Sequence, residues 1–311
     1  MLLLSLVLFW SQSSCIDSRP TTLSTFRCIT NGNFTLFNFT SGQLIQNQVS
    51  PFVVDLLQCS GNDYMVMVQG LGTDMSISIF NGQTGELTTK AMFNEELAND
   101  GFIIYQVNSV DLESGLALAT YCDNTSVSNL AIFDLNNQSV VNIPFKGNKC
   151  MLYAYGQYDS TTHLYYLYGY NVSIFTGIPI FSLPIGIYSL KTKTFEYVEI
   201  PYYLDMIGGS VQQLYMYQST LYACIQQDKH IEIGVLDISA KKFKRVFKVE
   251  TNTNAQFAFD QSGYIVSLVV NQKDTSIIYL VYSTDLQTHQ STMNIFPQFP
   301  FDIESRMLCA Q

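Results

Sequence analysis

Apolar pairs followed by a short polar residue punctuate this chain at regular intervals. The triplets are Leu36-Phe37-Asn38, Ile79-Phe80-Asn81, Ile132-Phe133-Asp134, Ile187-Tyr188-Ser189, Val235-Leu236-Asp237 and Val281-Tyr282-Ser283. Their third residues lie 43, 53, 55, 48 and 46 positions apart. In the second unit the apolar runs fall at 52–58, 64–69, 75–80 and 86–93, the last after the turn Asn81-Gly82-Gln83-Thr84-Gly85. The stretch 102–145 repeats this order, and later units begin near Met151, Val211 and Ala255. Short runs bounded by Gly, Asn, Asp and Ser clusters predict strands. No segment sustains a 3.6-residue period, and residues 94–101 predict one helical turn at most. The recurring Asn, Asp and Ser side chains read as turn-makers that bond the backbone ahead of them, rather than as a ring of ligands.

The first and last units are each incomplete. Only one strand, around 26–29, fits ahead of the segment 34–37, and a piece at 301–309 is left over after the final unit. Joining the two ends in one sheet removes the open edge that a linear array would leave. Six units of strand, strand, strand, turn and strand, closed in this way, resemble the β-propeller architecture. The resemblance covers residues 22–311 and rests on the repeat alone, because neither the WD dipeptide nor repeated paired kelch glycines occur. It implies an all-β fold, a single β-propeller of six blades with the C-terminal strand closing the first. Seven blades or paired β-sandwiches are the alternatives.

Composition agrees. The 311 residues are 47% hydrophobic and only 13% charged, with 21 Phe and 20 Tyr, a bias that favours pleated, half-buried surfaces. A net charge of −10 with no offsetting basic stripe excludes nucleic acid as the expected partner. Residues 2–10 form an apolar run followed by the small, polar Ser11-Gln12-Ser13-Ser14-Cys15, which predicts a signal peptide over 1–15. The run departs from that pattern in having no Lys or Arg ahead of it, and at nine residues it is too short to span a bilayer, which takes about 20. Five sequons, at Asn33, Asn38, Asn124, Asn137 and Asn171, predict glycosylation in a secreted protein. Of the seven cysteines, six remain after cleavage behind Cys15. The strand order predicts the bridges Cys28–Cys309 and Cys122–Cys150, with Cys59 and Cys224 too far apart to join.

Chemistry is sparse. His163, His230 and His289 fall in turns of different units with no convergent nucleophile, and G-x-S-x-G is absent. They read as exposed loop histidines. Glu95, Glu96 and Asp100 cluster in a loop between units; carboxylates of this kind suit calcium. The resemblance to propellers implies that calcium-dependent lactonases and other hydrolases belong among the function classes to weigh. No cofactor is otherwise expected. Lys241, Lys242, Lys244, Arg245 and Lys248 read as an outer strand whose lysines guard its edge, with a strip for anionic polysaccharide or lipid as the sharper alternative. The most unusual stretch is Tyr165, Tyr166, Tyr168 and Tyr170, then Asn171, then residues 174–181 (Ile-Phe-Thr-Gly-Ile-Pro-Ile-Phe), an insertion between the second and third strands of its unit.

These features together predict a secreted, glycosylated binding module for an extracellular protein or glycan. Loops on a rigid scaffold are where such binding resides. The expected site has Tyr168, Tyr170, Phe175 and Ile178 as its apolar wall and Glu95 and Glu96 as its charge. An extracellular calcium-dependent hydrolase with a channel site, and a structural protein of the extracellular matrix, are the competing classes.

Overall fold

A strand that is apolar at consecutive positions needs cover on both of its faces. Several second strands of the repeating units are of this kind. The computed structural model describes residues 20, 22–27, 33–49, 53–60, 62–69, 75–93, 106–111, 114–122, 127–137, 139–149, 151–171, 180–204, 209–251, 253, 255–260, 262–273, 276–297 and 306–310. These described residues form six four-stranded antiparallel sheets from 24 strands.

Sheet I combines β1 (Thr22–Arg27), β2 (Asn33–Asn38) and β3 (Gln43–Val49) with the last strand, β24 (Arg306–Ala310), in the order β24-β1-β2-β3. Sheet II runs through β4 (Val53–Ser60), β5 (Asp63–Gln69), β6 (Met75–Asn81) and β7 (Leu87–Phe93). Sheet III holds β8 (Gln106–Asp111), β9 (Leu116–Cys122), β10 (Val127–Asp134) and β11 (Ser139–Lys149). Sheet IV holds β12 (Met151–Asp159), β13 (Leu164–Asn171), β14 (Ile180–Ser189) and β15 (Thr194–Leu204). Sheet V is β16 (Ser210–Tyr217), β17 (Thr220–Gln226), β18 (His230–Asp237) and β19 (Lys242–Glu250). Sheet VI is β20 (Ala255–Asp260), β21 (Tyr264–Lys273), β22 (Ser276–Asp285) and β23 (Ser291–Phe296). Among the described residues no helix is long and apolar enough to cross a membrane.

Side chains alternate across a strand, so a buried second strand serves two neighbours. Along β9, Ala117 and Ala119 pack toward sheet II with Met65, Met67 and Ile77. Leu118, on the opposite face, packs toward sheet IV with Tyr165 and Leu167. Strand β17 divides likewise: Leu221, Ala223 and Ile225 face sheet IV, while Tyr222 and Cys224 face sheet VI. Each fully buried Leu, Ile or Phe contributes about 1.5–3 kcal/mol relative to exposure. The chain of interfaces returns to its start. Phe34 of sheet I packs on Tyr64 and Phe80 of sheet II, with ring centroids 4.9 and 5.4 Å apart. On the other side Phe37, Phe39 and Ala310 pack against Ala258, Val266 and Leu268 of sheet VI.

The first strands complete the same circuit. Strand β4 touches β8, β8 touches β12, β12 touches β16, β16 touches β20, β20 touches β24, and β24 touches β4. The arrangement is a single β-propeller, as the repeat implied. Strand β24 pairs antiparallel with β1 from Leu23↔Ala310 to Arg27↔Arg306, so the expected joining of the two chain ends is present. Because neighbouring strands alternate in direction, the loops after each second strand and between sheets open on one face, called here the upper face. The two hairpin turns of each sheet open on the lower face.

The lower-face turns that follow the third strands share one construction. The oxygen of Asn38 accepts from the N–H groups of Thr40 and Ser41 at 2.9 and 2.8 Å. Asn81 does the same for Gln83 and Thr84, and Asp134 for Asn136 and Asn137. Ser189 accepts from Thr192 and Asp237 from Ala240. Four residues after the capping side chain the backbone turns left-handed: Gly42 at φ 75°, Gly85 at 76°, Lys193 at 57° and Lys241 at 51°. Three of these capping turns follow β-strand ends where the acceptor is neutral; at Asp134 and Asp237 the backbone N–H groups of Asn137 and Ala240, respectively, draw the carboxyls below their ordinary range.

The sixth turn corrects the sequence reading. Its cap is Asp285, which accepts from Gln287 and Thr288 at 2.8 and 3.1 Å, with His289 left-handed at φ 60°. Ser283 lies inside β22, 3% exposed, opposite Val266. The pattern misleads here because the residues before the true cap, Ser283 and Thr284, are polar yet buried. The apolar pair Val281-Tyr282 therefore sits two positions early.

Two outcomes test this architecture. Deleting residues 306–311 should leave one edge of β1 unpaired and uncover Phe37 and Phe39. Each lost net hydrogen bond costs about 0.5–1.5 kcal/mol, against a whole-protein stability of about 5–15 kcal/mol. The truncated chain should elute as aggregate in size-exclusion chromatography; a monomer with unchanged melting would refute closure by the C-terminus. The second test compares two point variants by urea unfolding. Asp285→Ala should cost about 1–2 kcal/mol through two lost turn bonds. Ser283→Ala should be neutral or stabilising, because its buried hydroxyl has no hydrogen-bond partner among the described residues.

Candidate functional site

The site expected from sequence divides into one placed side chain and five that are not. Tyr168 is 1% exposed and packs in the interface of sheets IV and V with Leu183, Ile185 and Ile200. It is core, so it cannot line an accessible wall; strand alternation directs it into the neighbouring sheet. Tyr170 lies in β13 opposite Leu152, at the strand's upper end, and its side chain is outside the described set. Phe175, Ile178, Glu95 and Glu96 lie outside the described residues. Asn38 and Asn137 are in lower-face turns, Asn33 and Asn171 at upper-face strand ends, and Asn124 outside the described residues. Cys309 stands opposite Ser24, and Cys122 ends β9, while Cys28 and Cys150 lie outside the described residues. Cys224 is a buried free thiol, its pKa pushed well up by burial.

What the fold assembles on the upper face is a polar cluster between sheets IV and V. Pro201-Tyr202-Tyr203 ends β15, Gln226-Gln227 leads out of β17, and His230 and Glu232 open β18. Glu232 lies between Ile231 and Ile233 in a strand whose alternation gives no sign that it is buried. Its side chain is 7% exposed. Three donors surround it: Tyr202 Oη at 2.9 Å, Arg245 Nη1 at 3.1 Å and His230 Nε2 at 3.1 Å. A buried carboxylate needs such partners. Burial drives the Tyr202 phenol far above its ordinary pKa, so it stays a proton donor to Glu232.

Gln227 extends the cluster. Its Nε2 donates to Tyr202 Oη at 3.2 Å and to the Tyr203 carbonyl at 2.9 Å. Gln226 ties the same loop to the next sheet, its Oε1 accepting from the Ala255 N–H at 3.0 Å. One short loop thus fixes the ends of three sheets. Beside it, Phe181 and Tyr203 stand as a ring pair with centroids 5.8 Å apart, tilted by 50° and exposed by 67% and 51%. Other exposed apolar residues, such as Ile45, Met92, Val141 and Ile295, are spread over the outermost strands of other sheets.

Chemically the cluster is a fixed hydrogen-bond hub. Glu232 already accepts from three groups, which leaves it poorly placed as a general base. Among the described residues no group of three or more His, Cys, Asp or Glu is placed to hold a metal ion. Two of the three histidines depart from the exposed positions expected of them. His289 is exposed, but His163 is half-buried with Nδ1 2.9 Å from Tyr158 Oη, and His230 belongs to the cluster. Phe181 closes the apolar run 174–181 that stood out in sequence. Tyr202, Gln227, Glu232 and Arg245 come from four segments whose meeting only the fold reveals.

No protein-family model matches the chain, and no curated protein matches it. Solved structures do. TolB from Acinetobacter baumannii superposes with a TM-score of 0.57 at 10% identity, over 93% of this chain and 66% of that one. A prolyl endopeptidase gives 0.50 at 10% identity, over 91% of this chain but 41% of the other. Oligogalacturonate lyase in complex with manganese gives 0.51 at 7% identity, over 88% and 73%. The chain thus spans less than two thirds of the first two proteins. At these identities the likeness is one of fold, and the fold is that of a β-propeller.

Proposed function

We propose that this protein is a secreted, glycosylated propeller of six blades, one per sheet, that binds an extracellular protein or glycan through its upper face. In this reading residues 1–15 are a signal peptide and residues 22–311 the propeller domain. Cys122 and Cys150 form a bridge. The observation that carries the binding assignment is the exposed ring pair of Phe181 and Tyr203. Exposed aromatic pairs hold apolar area in contact with water until something covers them, and Tyr and Phe are enriched where partners dock. The pair is also held rigidly, since Gln227 fixes the Tyr203 carbonyl and Tyr202 is anchored on Glu232. Preorganisation of this kind lowers the cost of binding.

Glycans fit the lower face. The Asn38 cap uses only Oδ1, which leaves the amide nitrogen free to carry a sugar without loss of the turn. We include in the proposed surface Tyr170, at the upper end of β13, together with Phe175 and Ile178, which follow β13 in sequence, and Glu95 and Glu96, which follow β7.

The test is a glycan array and an extracellular-protein capture run in parallel on the wild type and on Phe181→Ser/Tyr203→Ser. Exposed substitutions away from core features change stability by roughly 0.5 kcal/mol or less each. The double variant should melt almost normally and lose about tenfold or more of the wild type's binding. Undiminished binding, on any ligand the wild type captures, would overturn the assignment of this face.

A further inference from the structure

The cations of β19 supply a second half to the surface marked by Phe181 and Tyr203. Residues 241–248 hold five of the chain's fifteen Lys and Arg residues in a protein of net charge −10. Strand β19 is the outermost of sheet V, as the edge-strand reading required. Edge protection does not explain the concentration, however. The outermost strands β3, β15 and β23 contain no Lys or Arg at all.

Register sorts these cations onto two faces. Arg245 pairs with Gly234 and Lys248 with Glu232, after a bulge at Val246, so both share the face of Glu232 that looks toward β15. Lys242 and Lys244, opposite Asp237 and Val235, lie on the other face. Strands β15 and β19 touch, and Tyr202 packs edge-on against Phe243 with centroids 4.8 Å apart. Tyr202, Arg245 and Lys248 therefore lie along one seam, with Tyr203 next to Tyr202 at the upper end of β15. Glu232 holds one nitrogen of Arg245 in place while the side chain remains 55% exposed, leaving further guanidinium donors for an outside anion. Lys248 is 33% exposed and reaches Glu250 at 3.5 Å.

We propose that the seam between β15 and β19 binds an anionic polysaccharide, its sugar face on Phe181 and Tyr203 and its carboxylates or sulfates on Arg245 and Lys248. The inference rests on the binding role of the ring pair. Aromatic faces carry negative charge density that attracts polarised C–H groups, and a guanidinium fork matches a carboxylate or sulfate. A thin, charged chain suits the place better than a folded partner, which needs about 800 Å² of contact. Glycans on the sequons at Asn33 and Asn171, at upper-face strand ends, would crowd such a partner.

The experiment measures binding of the full secreted chain to polygalacturonate, heparin and neutral dextran by calorimetry at low and high salt. Binding to a polyanionic glycan, absent for dextran and weakened by salt, is expected. Lys248→Glu should weaken it about tenfold. Arg245→Lys, which keeps a cation beside buried Glu232, should also weaken it through loss of the fork. Lys242→Ser/Lys244→Ser should leave it within about twofold, because those side chains face away from the seam. Equal loss from both pairs would replace a defined seam with diffuse charge and overturn the proposal. So would equal binding of dextran, or binding only to acidic protein or to phosphatidylserine vesicles. If polyanions fail yet Phe181→Ser/Tyr203→Ser still abolishes capture of another ligand, this inference falls and the binding reading stands. If that double variant changes nothing for any ligand, the binding reading falls too.

Discussion

Two-faced burial of the second strand is the constraint from which the rest of this structure follows. Strands such as β9 and β17 present apolar side chains at consecutive positions, so each face must meet another sheet. A sheet with two neighbours cannot stand at the end of a row. The only arrangement that satisfies all six at once is a closed circuit, and a circuit made from a linear chain must be joined somewhere. Here the joint lies inside sheet I, between β1 and β24, so the closure is made by a hydrogen-bonded ladder and by apolar packing on both sides.

Once the ring is closed, its two faces take on different characters. The lower-face turns that follow each third strand are short and self-contained, capped by an Asn, Asp or Ser, with a left-handed residue four places on in five of them. Polar bonds also cross between sheets there: Ser219 Oγ donates to Asp159, and Tyr222 Oη donates to the Leu286 carbonyl, both at 3.1 Å. The upper face carries the loops that differ in length, including the insertion after β13. There the cluster around Glu232 braces exposed aromatic rings rather than hiding them. Rigid support beneath a variable surface is the usual basis of recognition by loops.

Much of this was legible before the fold. Strand order, the joining of the chain ends and five of the six capping residues can be read from local patterns, because turn chemistry and period-two alternation act over a few residues. Ser283 shows the limit: a buried polar residue looks like a turn residue when only polarity is visible. Tyr168 shows another, since a tyrosine-rich run does not say which rings point into the next sheet. Glu232 was invisible for a third reason. Its partners Tyr202, His230 and Arg245 lie up to 30 residues away along the chain, and their convergence depends on the angle between two sheets.

The split sheet also sets a clock. Strand β1 cannot find its inner neighbour until β24 has been made, some 280 positions after Arg27. At typical synthesis rates of about 5–20 residues per second, β1, Phe37 and Phe39 wait on the order of tens of seconds with part of their cover missing. Every other sheet draws its four strands from one continuous segment and can assemble as it emerges. The rate of folding should therefore be governed by one long-range closure, whose entropic cost is met only when β24 is available. During that interval the nascent ring is an open array with a bare strand at its beginning, and it is in this window that chaperones or aggregation would act on it.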